Sequence, residues 1–364
     1  MVACAPQIEI TPCENRALKK EQPARVYGAI DRHSRRSQIL IIDAEGKTVR
    51  DGNVVTGRAA LVKAFAALGA MRILVEASTE SEWVTQALEA AGHEVVVADP
   101  NYGPMYGDFR RRVKTDRRDV AALAEANRRG WYRPVHRVSG PQRTLRQQLG
   151  VRRQLVRMRT GLIAHLRAVL RQEGLRLPSG SSEAVVARLA RLELPASLRP
   201  IVTPLVEALS ALTPVIATAT RALTAQAEAD PVTVRLQTTP GVGPIVALTY
   251  RATVDDVARF PSAGHVSSAL GLVPREDSSG ERRRRGHLTK QGPSEARTML
   301  IQAAWTCWRS RTARTTPLRR WADGLAVRRG RRIAVVALAR RLSRILYALW
   351  RDDTVFRLPA AGAR

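Results

Sequence analysis

The chain has 364 residues, of which 45% are apolar, enough for two domains with separate cores. Its 60 Lys and Arg outnumber 32 acids, a formal net charge of +28 that points to a polyanionic partner, nucleic acid above all. Three cysteines without framework spacing, no approach to the ~20-residue apolar run of a membrane span and no signal-peptide layout argue against a secreted or membrane protein and predict a cytoplasmic one.

Residues 1–24 show no periodicity and read as a flexible tail. Val26–Asp31, Gln38–Ile42 and Lys47–Val54 read as strands, with a turn at Gly46. Gly57–Leu68 reads as a helix, Arg72–Glu76 as a buried strand, Ser81–Ala91 as a helix and Glu94–Ala98 as a further strand. Hairpin strands followed by alternating strands and helices predict a mixed sheet covered by helices. Thr115–Arg129 is helical in pattern, with Val120, Leu123 and Ala124 at helical spacing. Pro141–Leu170 follows as a long basic helix. Leu177–Gly180 is a break. Ser182–Asp230 reads as Ala- and Leu-rich helices punctuated by prolines, either a helical hairpin for self-association or a core helix pair. The last domain starts near Pro231. Residues 268–292 read as a Gly-rich basic loop, and Pro293–Trp308 and Arg331–Trp350 as helices.

Only six of the 60 cationic residues are Lys. Arg grips phosphate with a planar fork, which suits nucleic acid. A biased base composition in the coding DNA also explains Arg over Lys, but not the excess of positive charge. Between Arg110 and Glu173 stand 18 Lys or Arg and four acids, too many for i,i+4 pairing to neutralise. This predicts a surface that tracks phosphate rather than a merely solvated face.

Four acids stand out by position. Asp31 and Glu76 each end an apolar strand, where sheets open onto crevices. Asp116 and Asp119 project from one face of a helix. Gathered around one point, such carboxylates bind Mg²⁺ or Mn²⁺ through oxygen, and metal so held stabilises the attacking and leaving oxygens of phosphoryl transfer. Taken singly, each acid is more often a turn former or helix cap than a metal ligand.

Two C-terminal features stand out. Pro240-Gly241-Val242-Gly243-Pro244 before an apolar helix resembles the hairpin of a helix-hairpin-helix element, whose backbone N–H groups hold DNA phosphate. Ser278 and Ser279 precede Arg282, Arg283, Arg284 and Arg285. A serine hydroxyl there could attack a phosphodiester beside charge-stabilising arginines, although on the residues alone a flexible basic loop that merely touches backbone is the favoured reading.

Together these motifs resemble the DEDD transposases of insertion sequences, the IS110 family, which also holds the Piv-type DNA invertases. Val26-Tyr-Gly-Ala-Ile-Asp31-Arg-His33 is similar to the first acidic motif, and Leu74-Val-Glu76-Ala with Trp83 to the second. Asp99-Pro100-Asn101 and Lys114-Thr-Asp116-Arg-Arg-Asp119-Val-Ala-Ala-Leu-Ala124 resemble the third and fourth. Pro240–Pro244, Phe260-Pro-Ser, Leu270-Gly-Leu-Val-Pro274, Ser279-Gly280 and Gly286-His-Leu-Thr-Lys290-Gln-Gly292 follow in the family's order. Glu281 with its arginine run, and Pro293-Ser-Glu-Ala-Arg297, depart from the usual pattern.

The resemblance implies an α/β plus α protein. An RNase H-like (RuvC-like) domain would span residues 25–140, a basic helix and coiled-coil arm 141–230, and a mainly helical transposase domain 231–351, with a tail over 352–364. It implies metal at Asp31, Glu76, Asp116 and Asp119, and a nucleophilic Ser279, with Ser278 as the alternative, forming a transient phosphoserine link. Nucleic acid is expected at Lys114, Arg117, Arg118, Arg152, Arg153, Gly241, Gly243, the Arg282–Arg285 run and Lys290. The expected partners are DNA (element ends and target), a structured bridge RNA and further copies of the chain in a dimer or tetramer. The competing functions are a junction-resolving endonuclease, which would not need the Ser-Gly loop, and a non-catalytic nucleic-acid binder.

Overall fold

The computed structural model describes residues 26–102, 115–279 and 282–358, with the backbone alone over 277–279 and 282–285. Lys114, Gly280 and the two expected tails, apart from residues 352–358, lie outside the described residues. The chain divides into two compact units, residues 1–137 and 138–364.

The first unit is built on a five-stranded sheet in the order β3-β2-β1-β4-β5. Its strands are β1 (Val26–Arg32), β2 (Arg36–Asp43), β3 (Thr48–Val55), β4 (Arg72–Glu76) and β5 (Glu94–Ala98). The pairs β1–β2 and β2–β3 are antiparallel, while β1–β4 and β4–β5 are parallel, so the expected mixed sheet is present. Strand side chains alternate between faces. Ile30, Ile39, Ile41, Ile73 and Val75 bury one face under α1 (Arg58–Ala66) and α2 (Ser81–Ala90). Ala29, Leu40, Ile42 and Leu74 bury the other under α3 (Asp116–Arg129), through Val120, Leu123 and Ala124. Gly28 lets α1 approach: a Cβ there would stand 2.9 Å from the Phe65 ring. The buried Asn127 side-chain amide donates to the carbonyls of Gly28 (2.8 Å) and Arg72 (2.9 Å), tying α3 to both β1 and β4.

Among its described residues the second unit is helical apart from one hairpin. Two long helices, α4 (Gly140–Gln172) and α6 (Arg199–Ala229), run antiparallel: Leu145 and Leu149 near the start of α4 pack with Leu223 and Ala227 near the end of α6. At the far end Ile163, Leu166 and Leu170 meet Val202, Leu209 and the short α5 (Val185–Leu189). Residues 182–230 thus hold the short α5 and the single long α6, whose antiparallel partner α4 lies before that segment, in place of the expected helical hairpin within it. The punctuation differs from expectation, because α6 continues through Pro204 and Pro214. Packing along one face offsets the lost backbone bonds. An 18-residue window of α6 reaches a mean hydropathy of 1.6 with 17% of it buried, so by length and composition this helix is apolar enough to cross a membrane, although Glu207 and Arg221 keep it short of an uninterrupted apolar run.

The remaining core gathers α7 (Pro231–Gln237), α8 (Pro244–Val254), α9 (Ala263–Ala269), α10 (Ser294–Arg309), α11 (Thr316–Arg329) and α12 (Arg331–Arg351). Tyr250 and Tyr347, both buried, donate their hydroxyls to the carbonyls of Ser343 and Phe260. The described residues of 268–292 hold more regular structure than the predicted loop. They form an antiparallel hairpin of β6 (Pro274–Ser279) and β7 (Arg282–Leu288). Its residues are mostly charged and carry no apolar alternation, which is why hydrophobic periodicity misses it.

The base of that hairpin is tightly closed. Gly271 (φ +64°) and Gly292 (φ +74°) adopt left-handed backbone, and a Cβ on either would collide with the carbonyl oxygen of Gln291 or Ala269 respectively. Arg297 donates to the carbonyls of Leu270 (3.0 Å) and Gln291 (3.2 Å) across the same junction. Gly292→Ala should therefore cost about 2–4 kcal/mol, combining left-handed strain with the clash. Gly150→Ala, in mid-α4 with open space at the Cβ position, should instead stabilise by roughly 0.5–1 kcal/mol. Denaturant titration of both variants checks the contrast.

Candidate active site

Strand β1 ends on Asp31 and Arg32, and its neighbour β4 ends on Glu76. Ile30 pairs with Val75, so the two acids stand at the same end of adjacent parallel strands. Both are in phase with Ala29 and Leu74, which face α3. Helix α3 begins at that end, with Asp116 and Asp119 in its first turn. The apolar stripe that seats α3 on the sheet thus brings its N-terminal acids over the strand ends.

The tightest group is Asp31, His33 and Asp116, whose ligand atoms lie within 4.8 Å of one another. The Nε2 of His33 stands 3.4 Å from Oδ2 of Asp31 and 3.3 Å from Oδ2 of Asp116. His33 carries no expected role from sequence, although it sits two residues beyond Asp31 and so in phase with it along the chain. Asp119 lies close enough to act on Asp31 electrostatically but outside the tight group; Glu76 is exposed at the strand end and also outside it.

Burial holds the Asp31 carboxyl above the usual carboxylate range; the His33 imidazole pulls it down, and the charges of Asp116 and Asp119 push it up. Its side chain is only 14% exposed, against 62% for Asp116. A buried carboxylate pressed by two others gains from a cation, and the set offers two hard carboxylate oxygens together with the borderline imidazole nitrogen of His33. The residues present therefore fit a divalent ion.

The expected nucleic-acid contacts fall into different surroundings. Arg117 pairs with Asp51 at 2.7 Å while remaining 79% exposed. Arg118 is exposed. Arg152 donates to Thr220 Oγ1 (2.7 Å) and Arg153 to Glu295 (2.7 Å), so both act between helices of the second unit. Arg157, Arg167 and Arg171 are the outward cations of α4 that the sequence did not single out. Gly241 has φ +84° and its α-carbon faces the Ala303 carbonyl and Cys307 of α10, so its conformation serves packing. Gly243 is the N-cap of α8 and opens to free space. Ser279 ends β6 opposite Arg282, and Ser278 lies opposite Arg283; their side chains, like those of Arg282–Arg285, lie outside the described residues. Lys290 takes a positive φ of 55° just before the hairpin base.

A mixed sheet with an acid cluster at its strand ends, followed by an arginine-rich helical unit, defines a nucleic-acid-processing protein. Comparison with known proteins sharpens this. Residues 29–174 match the transposase model of the DEDD IS110 type, and residues 234–317 match that of the IS116/IS110/IS902 transposases. The chain is 32% identical over 293 residues to a probable family 20 transposase of Pseudomonas aeruginosa, covering 78% of this chain and 85% of that protein. It is 29% identical over 328 residues to the transposase for insertion sequence element IS1111A of Coxiella burnetii, covering 89% of each. It is 27% identical over 288 residues to the transposase for element IS1328 of Yersinia enterocolitica, covering 78% of this chain and 85% of that one. The chain belongs to the IS116/IS110/IS902 family of transposases.

Saturating Mg²⁺ or Mn²⁺, at ~100 times its dissociation constant, should stabilise the N-terminal unit by about 2.7 kcal/mol and raise its melting transition by about 10 °C. Asp116→Asn should lose most of that rise in differential scanning calorimetry. Asn127→Ala, which removes both ties between α3 and the sheet, should cost about 1–3 kcal/mol and weaken cation affinity in the same titration.

Proposed function

We propose that the chain cleaves and rejoins DNA strands at the ends of an insertion sequence and its target, using divalent metal at the acid cluster and a covalent serine intermediate. The observation that carries this reading is the meeting of Asp31 and Asp116, brought from distant parts of the sequence to the same Nε2 of His33. Asp31 and Asp116 would be the primary ligands, with Asp119 and Glu76 completing the set from the same end of the sheet. Bound metal would draw electron density from the scissile phosphodiester and neutralise charge on the departing oxygen. The RNase H-like (RuvC-like) topology and a helix-hairpin-helix role for α7–α8 are part of the same proposal, as are the limits of a catalytic domain over 25–140, an arm over 141–230 and a transposase domain over 231–351.

Ser279 supplies the nucleophile in this scheme. Its oxygen bonds to phosphorus as one deoxyribose oxygen leaves with a proton, giving a phosphoserine and a free hydroxyl end. A hydroxyl of the new partner strand then attacks phosphorus, and the serine oxygen departs and regains its proton. The closed base formed by Gly271, Gly292 and Arg297 supports this role, because it fixes the hairpin that carries the serine. Arg282–Arg285 follow on the paired strand and would counter charge on the phosphorane.

The poorly covered apolar surface of α6 supports self-association into a dimer or tetramer through the arm. A structured bridge RNA would supply target choice by base pairing, which leaves the protein to hold backbone and shape. Action on the DNA of a cell without a nucleus would keep the protein in the cytoplasm.

Two variants test the chemistry. Asp116→Asn should reduce strand cleavage by at least about 10³-fold while changing DNA affinity less than about twofold; cleavage at the normal rate would refute the metal role. Ser279→Ala should abolish the covalent protein–DNA adduct seen on denaturing gels. An adduct that persists there and vanishes in Ser278→Ala would move the nucleophile by one residue.

A further inference from the structure

A second cluster, in the C-terminal unit, has chemistry that the acid site and the serine hairpin do not use. On α10, Trp305 and Trp308 stand one turn apart with their rings stacked, centroids 5.4 Å apart and planes inclined by 11°. Arg309 lies over Trp305 at 5.1 Å, and Arg331, from the start of α12, over Trp308 at 5.8 Å. Arg311 and Arg319 complete the wall of a pocket of about 490 Å³. Its one acid, Asp323, accepts the indole N–H of Trp308 at 2.8 Å and so fixes that ring. Four guanidinium groups against one carboxylate leave a local charge of +3, and among the described residues none of the four arginines forms a salt bridge.

Partial burial of the tryptophans against the neighbouring core explains why they are held, but not why four cations crowd their free sides. Like charges brought together on a surface destabilise it unless an anion joins them. The joining anion must also suit two flat π faces. A carboxylate peptide would use the arginines and ignore the indoles. A duplex would offer phosphate, but its bases are already stacked on both sides. An unpaired nucleotide has both a free π face and a phosphate, which is the combination that single-strand binding proteins exploit.

We propose that this pocket seats an unpaired nucleotide of a DNA strand. The proposal rests on the transposase family and not on the metal site: strand cleavage and exchange necessarily expose unpaired DNA. The pocket is in the size range that encloses a small ligand. The base takes an indole face now covered by an exposed guanidinium, Arg309 or Arg331, and that guanidinium turns to the phosphate beside Arg311 and Arg319. Stacking is sequence-tolerant, so the site would hold a strand end without selecting its base.

The test uses the full-length protein with fluorescently labelled 15-nucleotide single-stranded DNA, RNA of the same sequence and the matching DNA duplex, at ~150 mM salt. Trp308→Leu and the double variant Arg311→Gln/Arg319→Gln should each weaken single-stranded DNA binding by about tenfold, or about 1.4 kcal/mol, with duplex affinity changed less than about twofold. Equal losses on single strand and duplex, or no loss on either, would overturn the proposal. A loss confined to RNA would overturn the assignment to DNA. Because Trp308→Leu could unsettle the fold, the wild-type protein is also photocrosslinked to a single strand carrying 5-iododeoxyuridine. Crosslinks mapping to the peptide of Trp305 and Trp308 are expected, and their absence would overturn the proposal independently of any variant. Persistence of these results in Asp116→Asn would separate this site from the proposed cleavage chemistry.

Discussion

The seating of one helix on one sheet face is the constraint from which the acid site follows. Val120, Leu123 and Ala124 bury α3 against Ala29, Leu40, Ile42 and Leu74, a hydrophobic contact that has no chemistry of its own. Asn127 then fixes where the helix lies by donating to carbonyls on two different strands. Three turns away, the same helix begins with acids that face another acid. Mutual repulsion there would lift the N-terminus of a loosely held helix. The apolar stripe and the amide ties hold it down, so the carboxylates stay together; burial, and after it the charges of Asp116 and Asp119, raises the proton affinity of Asp31. His33 relieves part of that pressure by standing between Asp31 and Asp116.

The arginines divide into two kinds. Arg146 donates to the carbonyls of Ala252 and Thr253 at the end of α8, Arg152 to Thr220 and Arg153 to Glu295, while Arg159 is nearly buried against Glu183. These are struts in a helical unit with few aromatic residues, where long forked side chains cover apolar surface and satisfy helix ends. Others, such as Arg157, Arg167 and Arg171, face solvent. The charge of +28 is therefore an upper bound on what nucleic acid meets.

The first unit was legible because its strands and helices bury alternating or helical apolar stripes. Arg72–Glu76 and Glu94–Ala98 have the expected bounds, and α3 begins one residue later than expected. The second unit was less so. Helix α11 buries only Leu318 and Ala322 and has no apolar stripe to find. The β6–β7 hairpin is held by backbone pairing and by a glycine-tight base, neither of which leaves a hydrophobic period. The length of α6 was hidden by prolines that normally break helices. At the site, Asp31 and Asp116 were legible from strand-end and helix-start positions. His33 was not, because its place between them depends on how α3 docks. The sequence also could not tell the struts Arg152 and Arg153 from outward cations, since a helix's arginines look alike until its neighbours are known.

Opposite charges at separate places impose an order on what such a protein can do with DNA. The cationic surfaces attract the phosphate backbone anywhere along a strand, through a force that salt weakens. The Asp31–Asp116 pair repels the same backbone, and in the proposed scheme most strongly at the phosphate to be cut. Binding therefore needs only the arginines, whereas close approach to the acids requires a cation between two anionic groups. A protein arranged this way can hold DNA without harming it, and cleavage becomes conditional on a second event at the acids rather than on affinity.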